Sequence, residues 1–227
     1  MIRRIAFFDL DETLLAQKSM LSFWHHWTDR LVREGRTPPV LRSSGADRAT
    51  LNRGYFGHFA GVPLARLEAA ARQWYAEYRT QHRAYVAGAL DALERHHRDG
   101  HETALVTGSG RALVQPVAEH LGIRHVLATE QLTDAAGTLT GEVRRSMIGP
   151  AKAEGVAALI RRRGVRPGDC FAYGDHSSDL PMLALVGHPV VVGEDPVLRA
   201  HGAARGWRVI GTHACPHPDN LVMPAAS

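Results

Sequence analysis

Two carboxylates spaced two apart, Asp9 and Asp11, follow directly on four apolar residues, 5–8. An apolar run of that length suits a strand buried on both faces, as in a parallel sheet covered by helices. Alternation along extended chain puts Asp9, Asp11 and Thr13 on one side, at the carboxyl edge where open α/β sheets bind ligands. An acidic turn after a strand is the plainer reading of these residues. Further polar clusters weigh against it: Thr107-Gly108-Ser109, Lys152, and Asp175 with Ser177, Ser178 and Asp179. If the strands before these clusters are neighbours in a parallel sheet, all of them meet at one edge.

Their charges restrict what such an edge can hold. Carboxylates about 4 Å apart repel by roughly 4 kcal/mol at an effective dielectric near 20. Asp9, Asp175 and Asp179 can therefore converge in ionised form only around a compensating cation, and an oxygen-rich site with few protein ligands suits Mg²⁺. Thr107 and the backbone amides of Gly108 and Ser109, at a helix start, form a cradle for an anion, and Lys152 adds a point charge. A carboxylate nucleophile beside a metal and a phosphate implies an aspartyl-phosphate intermediate. Asp11 could protonate the leaving oxygen and then activate water, which requires the two acids to differ in proton affinity.

The elements that must position these groups follow from periodicity. Residues 16–83 carry Trp24, Trp27, Leu31, Leu64, Leu67, Ala71, Trp74 and Tyr78 at three- and four-residue spacings, which predicts amphipathic helices. Residues 35–45 and 57–63 read as a loop and a turn. Nearly seventy residues without a strand signal, placed directly after the first strand, predict a small helical lid. From residue 84 the α/β alternation resumes. Helices are expected at 87–99, 111–121, 150–163, 180–185 and 196–203, and strands at 102–106, 124–128, 170–173, 189–192 and 207–210. Residues 129–143 read as a hairpin or extended excursion around the turn at 134–137. The tail from Gly211, with three prolines, is expected to be irregular.

Bulk properties set the class. The 227 residues can bury a full core, and 44% apolar with 22% charged residues is ordinary for a globular chain. No apolar run reaches the roughly 18 residues of a membrane span. The apolar start lacks the length and cleavage site of a signal peptide, and two cysteines imply no disulfide framework, so the expected location is the cytoplasm. The net charge of +4 comes without a basic run or aromatic platform, so no nucleic-acid partner is expected.

DLDET at 9–13, TGS at 107–109, a lone Lys152 and GDHSSD at 174–179, in this order, resemble the four motifs of the haloacid dehalogenase superfamily of phosphatases. The resemblance spans nearly the whole chain. It implies an α/β fold with a Rossmann-like three-layer core and parallel sheet, formed by residues 1–15 and 84–227, and a small helical cap at 16–83. It also implies Asp9 as nucleophile and Mg²⁺ ligand, Asp11 as general acid/base and metal ligand through its backbone carbonyl, and Asp175 as the third protein ligand. Thr107, Gly108, Ser109 and Lys152 would hold the phosphoryl group, with Thr13 and Asp179 in support. Asp11 argues against dehalogenation, because dehalogenases of the superfamily lack that second acid. The helical insertion after the first motif is similar to the phosphoserine phosphatase branch, subfamily IB. That branch carries an acid soon after DxDxT to meet the substrate amine, where this chain has Gln17 and Lys18, so an amino-acid phosphate is disfavoured. The expected activity is Mg²⁺-dependent hydrolysis of a small-molecule phosphomonoester. Phosphoryl transfer to a second hydroxyl, as in a mutase, and non-catalytic binding of a phosphate ligand are the alternatives.

Other candidates have plainer explanations. Lys18 is expected to favour a substrate with extra negative charge or hydroxyls. Arg53, Arg66 and Arg72 are candidate substrate contacts, although surface Arg on a helix is commoner. Tyr55 and Phe56 read as core. His213, Cys215 and His217 alternate and could bind a soft metal, but they are only three ligands at unusual spacing. His25, His26, His96 and His97 read as exposed, Cys170 as a small core residue, His176 as shaping the site, and Glu12 as pointing away from Asp9 and Asp11.

Overall fold

The computed structural model describes residues 3–41 and 47–215. The first half contains β1 (Ile5–Phe8), α1 (Ser19–Arg33), α2 (Arg48–Gly57), α3 (Leu64–Tyr78), β2 (Tyr85–Val86), α4 (Ala87–Arg98), β3 (Glu102–Gly110) and α5 (Arg111–His120). The second half contains β4 (His125–Thr133), β5 (Leu139–Arg145), α6 (Pro150–Arg163), β6 (Phe171–Gly174), α7 (Leu180–Leu183), β7 (His188–Val192), α8 (Pro196–Ala203), β8 (Arg208–Ile210) and β9 (Ala214–Cys215).

Seven strands form one sheet in the order β5-β4-β3-β1-β6-β7-β8, so β1 is central. It pairs in parallel with β3 and β6, and only the β4–β5 hairpin at the edge is antiparallel. All four β1 side chains are fully buried, because successive residues feed two separate cores. Ala6 and Phe8 join Leu90, Leu93, Leu113 and Val117 from α4 and α5, whereas Ile5 and Phe7 join Val156, Leu159, Met182 and Leu198 from α6, α7 and α8. This is the three-layer α/β arrangement expected from the alternation, with its carboxyl edge on one side.

The three helices between β1 and β2 bury Trp27, Leu67, Trp74 and Tyr78, as their spacing predicts, with Phe59 from the turn after α2 beside them, and this apolar face is continuous with one sheet core. The chain leaves and re-enters the sheet side by side: Ala16 N–H donates to Ala84 O (2.9 Å) and Val86 N–H to Leu14 O (3.0 Å). A second attachment lies at the α2–α3 corner. There Gly61 N–H donates to Leu139 O (2.8 Å), Leu139 N–H to Val62 O (2.9 Å) and Leu64 N–H to Gly137 O (3.0 Å), joining the helices to the tip of the β4–β5 hairpin.

Four expectations change. The tail contributes β9, which pairs antiparallel with β2. The strand expected at 102–106 runs on through Gly110, with a register shift against β4 between Thr107 and Gly110, so residues 107–109 lie in the end of a strand, while α5 starts at Arg111 as expected. His96 is buried rather than exposed: it hydrogen-bonds the Tyr173 hydroxyl (2.9 Å) and His101 (2.8 Å). His26 is also mostly covered, with Nδ1 3.2 Å from Glu77. His217 lies outside the described residues, and no helix among them is long and apolar enough to cross a membrane.

Candidate active site

The carboxyl ends of β1, β3 and β6 and the start of α6 open into one cavity of about 530 Å³, roofed by the helical insertion. Lys152 sits in the first turn of α6, which Pro150 starts without losing a needed N–H. Its Nζ lies 2.7 Å from Asp9 Oδ1 and 2.7 Å from Asp179 Oδ1, and all three residues are buried. Asp9, Asp175 and Asp179 each offer an oxygen within 4.8 Å of the others. Burial raises Asp9 well above the usual carboxylate range against the pull of Lys152, with Asp179 and Asp175 adding to the rise. Asp175 is pushed up to about 6 by burial and by Asp179, while a hydrogen bond from Thr13 (3.0 Å) opposes the shift. Burial also lowers the Lys152 ammonium's proton affinity, but Asp179 and Asp9 more than restore it.

Three crowded carboxylates and one ammonium leave unbalanced negative charge, which is what a hard cation site requires. The carboxylate cluster contains Asp9 and Asp175 as expected, together with Asp179, whose Oδ1 is already engaged by Lys152.

Asp11 reaches the cavity by a different route from that expected. Past β1 the chain does not stay extended: Leu14 and Leu15 both donate to Leu10 O (2.9 Å each), and Glu12 adopts a left-handed φ of 58°. The turn aims Asp11 at the start of α1, where Ser19 N–H donates to its Oδ1 (2.8 Å), and Ser109 Oγ lies 3.5 Å from its Oδ2. Burial raises the Asp11 pKa, and the Ser19 hydrogen bonds hold it back. Glu12 also lines the cavity, contrary to expectation, and its Oε2 lies 3.5 Å from Lys18 Nζ.

Thr107, Gly108 and Ser109 lie against the same cavity, with Ser109 N–H donating to Thr107 Oγ1 (3.1 Å). Of the insertion's candidates, Lys18 lines the cavity but is paired with Glu12. Arg53 instead donates to Thr50 (3.0 Å), and Arg66 stacks over Trp27 and pairs with Glu34. Tyr55 is both core and cavity wall, its hydroxyl donating to Met20 O (3.0 Å). His176 caps the short 3-10 turn at 177–179 by accepting from Ser178 N–H (3.0 Å).

Sequence reasoning missed Ser19, Asn52 and Arg48. Ser19 is fully buried, with Oγ 2.7 Å from Ser109 Oγ. Asn52 on α2 donates from Nδ2 to Gly108 O (2.9 Å), and Arg48 lies at the cavity wall. Met20, Leu21, Leu41, Leu51 and Ile148 make the remainder of that wall largely apolar.

The family model for haloacid dehalogenase-like hydrolases matches residues 6–184. The chain belongs to this family, as a phosphatase within it. It is 33% identical to a probable phosphatase of Mycobacterium tuberculosis, over 99% of this chain and 81% of that one. A Bordetella pertussis protein described as of unknown function superposes with a TM-score of 0.78 at 25% identity, covering 94% of this chain and 100% of that one. A phosphoserine phosphatase solved as a phospho-aspartyl intermediate analogue shares the fold, with a TM-score of 0.66 at 18% identity over 95% and 96% of the two chains.

Proposed function

We propose that this chain is a Mg²⁺-dependent phosphomonoesterase that acts on small soluble esters through an aspartyl-phosphate intermediate. The observation that carries the reading is the convergence of Asp9, Lys152 and Asp175 on one cavity wall, backed by the buried Asp179, with Asp11 held apart from them by Ser19. Asp9 and Asp175 would hold the metal, joined by the Asp11 backbone carbonyl. When bound, Mg²⁺ neutralises the carboxylates and draws charge from the phosphoryl oxygens.

Asp9 attacks phosphorus as the P–O bond to the alcohol breaks, and Asp11 delivers its proton to the departing oxygen. Its raised pKa keeps a proton available for this step. Asp11, now ionised, takes a proton from water as that water attacks the phosphorus, releasing inorganic phosphate and regenerating Asp9. Lys152, Thr107 and the Gly108 and Ser109 amides hold the phosphoryl oxygens throughout.

Residues 16–83 act as the cap over a core of 1–15 and 84–227. The apolar wall and the neutralised Glu12–Lys18 pair suit an uncharged, partly apolar alcohol rather than an amino acid. The free thiols of Cys170 and Cys215 suit the cytoplasm.

The test is phosphate release from a panel of metabolite phosphomonoesters, with Mg²⁺ or EDTA, comparing wild type with Asp9→Asn. Release that needs both Mg²⁺ and Asp9 supports the reading. A phosphorylated acceptor in place of free phosphate would instead make the enzyme a phosphotransferase.

A further inference from the structure

The peptide between Gly108 and Ser109 is gripped from two sides. Its carbonyl oxygen accepts from Thr129 Oγ1 on β4 (2.7 Å) and from Asn52 Nδ2 on α2 (2.9 Å). A trans peptide points its N–H opposite to its C=O. Fixing the carbonyl with two donors therefore fixes the direction of the Ser109 N–H, which faces the Thr107 hydroxyl at the cavity wall. Thr129 belongs to the sheet, but Asn52 belongs to the inserted helices. The aim of one anion-binding amide thus depends on where the insertion sits.

The other end of the Asn52 carboxamide shows what the residue is for. Its Oδ1 is buried and has no hydrogen-bond partner among the described residues, although the side chain is only 5% exposed. An orphaned acceptor is a cost that an apolar side chain of similar size avoids. The Nδ2 group also lies 3.7 Å from Met20 Sδ, a contact that needs no amide, and the donor to Gly108 is what a leucine could not supply.

We propose that Asn52 is a positioning residue: seated through the insertion, it fixes the Ser109 amide, whose N–H holds the Thr107 hydroxyl at the cavity wall, so that the anion hole is complete only when the helices are closed over the site. The inference rests on the phosphatase reading and gives the insertion a part in the chemistry as well as in selecting the alcohol. Loss of a transition-state hydrogen-bond donor costs about a hundredfold to a thousandfold in rate, and misdirecting one costs less.

The test is Asn52→Leu, with Asn52→Ala as a second variant in case the larger side chain does not pack. The expected result is a kcat reduced about tenfold to a hundredfold by the same factor across esters of different alcohols. Orthovanadate inhibition should weaken in parallel, and the melting temperature should be equal to or above that of wild type. In the wild type, the Ser109 amide resonance should shift on adding orthovanadate, and in the variant this shift should shrink. Unchanged kcat, a loss confined to one class of alcohol, or a loss that tracks a fall in melting temperature would each overturn the proposal. Should the wild type release no phosphate from any ester, the phosphatase reading fails by itself, and the Ser109 shift with orthovanadate still decides the amide's role.

Discussion

The Lys152 ammonium lies 2.7 Å from the Asp9 carboxylate, and the same nitrogen lies 2.7 Å from Asp179. Lys152 is thus shared between the proposed nucleophile and a fully buried acid that lines no substrate path of its own. Removing one partner of a buried pair costs about 3–5 kcal/mol, because the remaining charge stays buried and unpaired. Lys152→Met is expected to lower both the melting temperature and kcat, the latter by about a hundredfold or more. Adding Asp179→Asn should restore most of the stability and none of the turnover. Calorimetry beside steady-state kinetics separates the two effects.

Ser19 N–H is the donor that holds Asp11, and it occupies the first position of α1. Proline is tolerated there, since that N–H has no partner within the helix and Lys18 is already extended. Ser19→Pro should keep the helix but release Asp11. Losing hydrogen bonds that lower its pKa, Asp11 should titrate higher, and because it must carry a proton for the first step, the alkaline limb of the kcat/KM profile should move to higher pH. A limb that stays in place would show that Ser19 does not govern Asp11.

Asp175 titrates at about 6 in the native state, against about 3.9 in an unfolded chain. Between those values the folded protein holds a proton that the unfolded chain has lost, so its contribution lowers stability as pH rises through the window. Mg²⁺ bound at the proposed site would displace that proton. The gain in melting temperature on adding Mg²⁺ is therefore expected to grow from about pH 4.5 to about pH 6.5. Asp175→Asn should flatten both trends.

His96 carries the opposite sign. Burial, with His101 adding to it, holds His96 at about 4, below the roughly 6.5 of an unfolded chain. Here the unfolded chain binds the extra proton, so the stability contributed is present above about pH 6.5 and is lost as pH falls toward about 4. His96→Gln should lose less stability between neutral and acid pH than wild type does, as urea unfolding at the two pH values would measure.

The gathering of polar residues at one edge of the sheet was legible in the sequence because the clusters at 9–13, 107–109 and 175–179 lie at or beyond strand ends, and parallel strands bring such clusters together whatever lies between them. The failures came where local geometry departed from a simple period. Alternation assumed extended chain beyond Asp9, but the bonds to Leu10 O and the left-handed Glu12 make a turn that brings Glu12 to the cavity wall. His96 resembled its exposed neighbours by composition, and only the fold supplies Tyr173 as its partner. The two-residue β9 is too short to carry a periodic signal. Ser19 and Asn52 are ordinary helix residues in the sequence. Their importance comes from atoms about ninety and fifty-six positions away, in Ser109 and Gly108.

The hydrogen bonds between residues 61–64 and the hairpin tip at 137–139 make that hairpin a splint. One of its strands, β4, also carries Thr129, so both donors on the Gly108 carbonyl belong to parts that are laced together. The lacing is tight: a side chain at Gly141, where φ is 86°, would place its first carbon 2.9 Å from the Ala60 methyl. A bulkier residue there would act as a shim. The reach of the hairpin thus sets how high the helical roof rides above the strand ends, and a change in loop length far from the acids would alter the headroom left for the alcohol.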